Sequence, residues 1–187
     1  MKKLNKLFII LAIASFLFAS CADSSKKLVG SWTNSKTEIT NPEQVAQALY
    51  KNSLNYYEGL KSMYSSMMND PQATDSIKTN YQNVINQLDE EIQKLNIDSI
   101  KNQMTNTKIG VFKFNPDSTL TLSKDGDSIQ GTWSIVKNQK TDTLYITIQS
   151  SKVALAIESI SSKELKLVQN NKLDSLNFDM IYFFTKE

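Results

Sequence analysis

A chain of 187 residues is long enough for one ordinary domain with a real core, and nothing in its length demands two. It has no histidine and a single cysteine, which excludes Ser-His-Asp triads, Cys-His dyads, histidine metal sites and any intrachain disulfide. The basic residues are all lysine with no basic patch, and the net charge is only +2, a balance that argues against nucleic acid as a partner.

Lys2, Lys3 and Lys6 precede an apolar run, Leu7 to Phe18, too short for a comfortable membrane span and built like a secretory signal. Residues 1–20 are therefore expected to be a signal peptide absent from the mature protein. Phe18, Ala19 and Ser20 lead directly into Cys21, and this junction looks like a bacterial lipobox. The resemblance implies cleavage before Cys21, a diacylglycerol on its thiol and acylation of its new amino group. One acyl chain binds a membrane only marginally, whereas two or three hold a protein there. Loss of the signal leaves 18 basic against 19 acidic side chains, so the mature chain is close to neutral. Residues 21–27 then form the lipidated cysteine and a short polar tether. Ala22 stands where an Asp would favour inner-membrane retention, which points to the outer membrane, on its periplasmic or cell-surface side.

The mature domain, residues 28–187, opens with LVGSW in an expected strand, Leu28 to Glu38. Residues 41–104 then read as a helical insertion. Asn41-Pro42-Glu43-Gln44 has an N-cap residue followed by proline at the first helical position. Val45, Leu49, Tyr56, Leu60, Met63 and Met67 recur at helical spacing behind it. Asp70-Pro71 breaks this helix and begins a second, striped by Ile77, Tyr81, Val84, Leu88, Ile92 and Leu95, so that a helical hairpin results. Asp98 is placed to cap a short third helix. The run Asp89-Glu90-Glu91 reads as a solvated face, and the Tyr and Met residues of the first helix as packing.

From Ile109 onward, short alternating runs are separated by turn residues, the pattern of an antiparallel sheet. The expected strands are Ile109–Asn115, Thr119–Lys124, Ser128–Lys137, Thr143–Gln149, Lys152–Ile160, Glu164–Gln169 and Phe178–Lys186. Asp125-Gly126 suits the positive φ angles of a tight hairpin, and this turn reading is preferred to a calcium loop, whose further ligands are missing. With the first strand these make eight, enough to close an up-and-down barrel and remove exposed edges. The last strand carries FDMIYFF, apolar on both faces, so its outer face needs a cover. The insertion is the candidate.

LVGSW at the start of the domain, FKFNPDSTLTL, GDSIQGTWSI and the lipobox together resemble the lipocalin-like lipoproteins of Bacteroidetes, including those whose barrel is interrupted by helices after the first strand. The resemblance spans essentially the mature chain. It implies a mainly β fold with an α insertion: an eight-stranded antiparallel, up-and-down, lipocalin-like barrel. It also implies that the Gly-x-Trp of the first strand puts its indole at the closed end. A glycine inside a strand costs stability unless a bend or close backbone approach requires it. Gly30 and Gly131 are assigned that role, with Trp32 and Trp133 as large core plugs.

No catalytic constellation emerges. Cys21 is consumed by lipidation, Ser134 and Lys137 do not meet on an alternating strand, and no carboxylate lies in an apolar context that would tune it as a general acid. Neither a cofactor nor a metal is expected, and the chain is read as a non-enzyme. Two functional readings follow. In the first the barrel holds a small hydrophobic ligand, lined by Trp133, Phe112, Phe114 and Tyr182, with the hairpin as its lid. In the second the core is solid, and the anchored module docks an envelope protein through its helices.

Overall fold

The computed structural model describes residues 24–106 and 108–187. The signal segment, the lipobox and Cys21 lie outside the described residues. In chain order the elements are α1 (Ser24–Leu28), β1 (Gly30–Ile39), α2 (Pro42–Met68), α3 (Asp75–Lys94), α4 (Ile97–Asn106), β2 (Val111–Phe114), β3 (Thr119–Lys124), β4 (Asp127–Val136), β5 (Thr143–Ile148), β6 (Ser151–Ile160), β7 (Glu164–Leu173) and β8 (Leu176–Lys186). The eight strands form a closed antiparallel barrel in sequence order, with the helical insertion after the first strand. All seven strands expected beyond the insertion are present.

The barrel closes because period-2 alternation puts one apolar set on the inside of every strand. Trp32 pairs with Phe112, Phe112 with Leu122, and Phe114 with Leu120. Trp133 pairs with Ile146, and Leu144 with Leu155. The β3–β4 hairpin turns at Asp125 and Gly126, both at positive φ (52° and 94°), the geometry expected of an Asp-Gly pair. A register shift between Ile157 and Ser159 interrupts β6–β7 pairing, where a bulge bends the wall.

The described chain divides into two compact units. The first comprises the described residues up to Thr37, Lys108–Gln169 and Ile181–Glu187; the second comprises the described residues of Glu38–Thr107 and Asn170–Met180. The second unit is thus the helical insertion together with the far part of the β7–β8 hairpin. Thr40 N donates to Asp179 O (3.0 Å), and Asp179 N to Thr40 Oγ1 (2.8 Å). Asn52 of α2 donates to the hairpin residue Asp174 (3.0 Å). Val45, Ala46, Ile85 and Ile39 are its buried apolar side chains. Lys61 of α2 pairs with Asp89 of α3 (2.6 Å), and Lys101 of α4 with Glu43 of α2.

Several local expectations are corrected. Leu28 belongs to a short helix instead of the first strand, and Ser24–Lys27 are helical where a tether was expected. Asn41 precedes α2 as expected but sits in the left-handed region (φ 52°) and makes no side-chain cap; its carbonyl accepts from Val45 N. Asp70-Pro71 ends α2, whereas α3 is capped by Thr74, which accepts from Ile77 N (3.4 Å). Asn96, not Asp98, caps α4 by accepting from Ser99 N (3.0 Å). In the α2 stripe Tyr56, Met63 and Met67 are 64%, 41% and 42% exposed. Val45, Leu49 and Leu60 of that stripe are turned inward as expected, joined by Ala46, Tyr57 and Tyr64, the last with its ring 5.7 Å from that of Tyr81 on α3. Asp89-Glu90-Glu91 does face solvent as expected, with Asp89 half-exposed while it also takes the Lys61 ammonium.

Candidate functional site

One end of the barrel interior is solid. Trp32, Phe114, Leu120, Leu144 and Leu165 are essentially fully buried, and Trp133 nearly so. Both indoles find acceptors, as buried tryptophans do: Trp32 Nε1 donates to Leu28 O (2.7 Å) and Trp133 Nε1 to Asn115 O (3.1 Å). The Phe114 ring meets Trp133 edge to face at 5.7 Å. This plug occupies the barrel end that carries α1, the Asn115–Ser118 turn and the β4–β5 loop.

The two glycines behind LVGSW and IQGTW serve close approach. A Cβ on Gly131 would lie 2.5 Å from Thr147 O on the paired strand. One on Gly30, whose φ is +128°, would lie 2.6 Å from Lys186 Cε. Lys186 uses this space to donate to Lys27 O (3.0 Å) and Val29 O (2.7 Å), with its ammonium 4.9 Å from the Trp32 ring centroid. The Gly-x-Trp repeat in β1 and β4 therefore marks two places where strand meets side chain or strand meets strand at the plugged end.

Above the plug the interior is hollow. A cavity of about 240 Å³ is bounded by Phe112, Leu122, Ile146 and Ile148 on one side and by Val153, Leu155, Leu167 and Phe184 on the other. Ile109, Gln169 and Tyr182 complete it. Phe112 stacks on Phe114 (6.1 Å) and meets Phe184 edge to face (5.3 Å), so the aromatic column of the plug continues into the cavity wall. The wall is apolar apart from one pair: Tyr182 Oη donates to Gln169 Oε1 at 2.9 Å. Burial pushes the Tyr182 phenol above its ordinary value, which keeps it protonated and able to donate at neutral pH.

Of the residues expected to line a ligand cavity, Phe112 and Tyr182 do so. Phe114 and Trp133 lie in the plug beneath it, because the strand register stacks them on Leu120 and the β2–β3 turn. Gln169, Phe184 and Ile109 were missed. Phe184 follows Tyr182 at the strand period and was legible from it; Gln169 is polar and carried no signal. Among the described residues there is no group of three or more His, Cys, Asp or Glu placed to hold a metal ion.

No family model, curated protein or solved structure matches the chain. The cavity and its wall are therefore the observations from which function is argued.

Proposed function

We propose that the chain is an outer-membrane lipoprotein, anchored through acyl groups on Cys21, whose lipocalin-like barrel carries a small uncharged hydrophobic ligand. The observation that supports this reading is the apolar cavity above the aromatic plug. Ligand pockets are concave and mostly apolar with few polar groups, and those for drug-sized molecules run to about 300–1,000 Å³. At about 240 Å³ this one suits a compact molecule or a segment of an acyl or isoprenoid chain. No ionisable cation or carboxylate is among its lining residues, and a charged ligand group would be desolvated there without a partner. The Tyr182–Gln169 pair is the one place on the wall to orient a hydroxyl or carbonyl.

The test is to purify residues 22–187, extract with organic solvent and analyse the extract by mass spectrometry for a stoichiometric small molecule. A companion variant, Val153→Trp, fills the cavity at its more exposed wall. The reading expects a copurifying apolar molecule in the native protein and its loss in the variant, with both chains melting cooperatively. Equal small-molecule content in the two would sink it.

A second reading has its own support. Tyr56, Met63, Met67 and Ile77 are exposed on α2 and α3, and methionine-rich surfaces adapt to partners. On that reading the module is anchored and non-catalytic, and docks an envelope protein through its helices. An empty but stable barrel would favour it.

A further inference from the structure

The first described residues, those of α1, are bound to the plugged end of the barrel. Ser24 Oγ donates to Asp142 Oδ2 in the β4–β5 loop (2.8 Å). Leu28 is fully buried and its carbonyl takes the Trp32 indole N–H. Lys186 Nζ donates to the carbonyls of Lys27 and Val29. Cys21 lies only three residues before Ser24.

Three residues extend at most about 3.6 Å each, so the cysteine stays within roughly 11 Å of Ser24. A ten-residue strand such as β1 tilted as in an eight-stranded barrel spans roughly 25 Å along the axis. The anchor therefore cannot reach past the plugged end to the cavity end. The same end carries Lys26 on α1, Lys137 and Lys140 in the β4–β5 loop and Lys163 in the β6–β7 turn, set against Asp117, Asp142, Glu164 and Glu187. Of these acids Asp142 is taken up by Ser24 and Lys137, and Asp117 by Thr119.

We propose that the plugged end of the barrel is the face held against the bilayer and that the cavity end points away from it. The inference rests on lipidation of Cys21 as read above, and not on what fills the cavity. Its consequence is directional: a ligand enters and leaves from the aqueous side of the envelope, and does not pass straight from the membrane into the barrel.

The experiment uses the full lipidated chain in vesicles of phosphatidylcholine and phosphatidylglycerol that contain a headgroup spin label. Because the native cysteine is the acylated one, Lys140→Cys and Ser150→Cys each add one reactive thiol for a fluorophore, at the plugged end and at the β5–β6 hairpin of the cavity end. The proposal expects several-fold stronger quenching at position 140 than at 150. It further expects a long Gly/Ser insertion after Asp23 to reduce that difference while the protein still floats with the vesicles. Vesicle-bound protein with equal or reversed quenching overturns the orientation and leaves the anchor standing. Protein that does not float with vesicles overturns the anchor, and the orientation with it.

Discussion

Asn34 is the residue whose replacement tests the barrel architecture most directly. It is 2% exposed in β1, an apolar environment in which an amide needs all its partners. Nδ2 donates to Lys36 O (3.0 Å) and to Phe183 O on β8 (3.1 Å). Oδ1 accepts from Ile109 N (3.2 Å) and Thr37 Oγ1 (3.4 Å). One side chain thus ties β1 to β8 and to the run into β2. In Asn34→Ala the Phe183 carbonyl keeps the Ser35 hydroxyl (3.1 Å), but Ile109 N loses its acceptor. An orphaned buried donor costs about 1–3 kcal/mol and each lost neutral bond about 1 kcal/mol, so the variant should lose roughly 2–4 kcal/mol. For a protein of this size that lowers Tm by about 5–15 °C, read by circular dichroism on the soluble domain. Asn34→Asp sharpens the test. The acid faces two carbonyl oxygens, which favour its protonated form and raise its folded pKa above the unfolded one. Its stability relative to Asn34→Ala should therefore be best at acid pH and fall as pH rises through the folded value. A Tm for Asn34→Ala within 2 °C or so of wild type, too small a change for one orphaned donor, would refute the claim that this network holds the β1–β8 seam.

Gly131→Val should cost about 2–4 kcal/mol by forcing β4 from β5, since its Cβ would sit 2.5 Å from Thr147 O; urea denaturation measures it, and a midpoint unchanged from wild type would contradict the close-approach role. Trp32→Phe removes the donor to Leu28 O and should loosen α1, seen as faster amide exchange at Leu28 and Val29. The hydrogen bond from Ser24, and then the Lys137 charge, hold the Asp142 carboxyl below its ordinary value. That contribution is present above the ordinary carboxylate range and lost as pH falls through the folded pKa, so α1 exchange should accelerate on acidification in wild type and change less in Ser24→Ala. Tyr182, raised by burial, should leave probe binding in the cavity flat from neutral pH to at least the ordinary tyrosine value of about 10; a midpoint near pH 8 would show that the phenol is not the buried donor described.

Much of the barrel was legible because strand alternation is a local signal. β3 runs from Thr119 to Lys124 as expected, and Leu120, Leu144, Leu155, Leu165 and Leu167 are buried on the expected face. β7 and β8 are longer than their apolar runs suggest, since the polar stretch Asn170–Asn177 holds its strands partly by contacts with the insertion, such as Asn52 to Asp174. The helices were found, and on α3 Tyr81, Val84, Leu88 and Ile92 are the less exposed stripe as expected, but the inward face of α2 was found only in part. On α2 the apolar residues nearly encircle the helix, so periodicity could not distinguish Tyr57 and Tyr64 from Tyr56, Met63 and Met67. The caps of α3 and α4 were misplaced by a few residues because Asp70 and Asp98 are as plausible chemically as Thr74 and Asn96.

By itself the sequence determined that the chain is a β-barrel interrupted after its first strand, because hydrophobic period and turn chemistry act between near neighbours. Its lack of histidine and its lone cysteine also narrowed the chemistry available. Only the tertiary structure decided that Trp133 and Phe114 plug one end while Phe112, Phe184 and Tyr182 face a hollow. It also decided that Asn34 is a buried junction and that α1 is bound at the plugged end. Those outcomes depend on which residues of distant strands arrive at the same depth of a closed barrel, and register across eight strands is set by the whole set of pairings together.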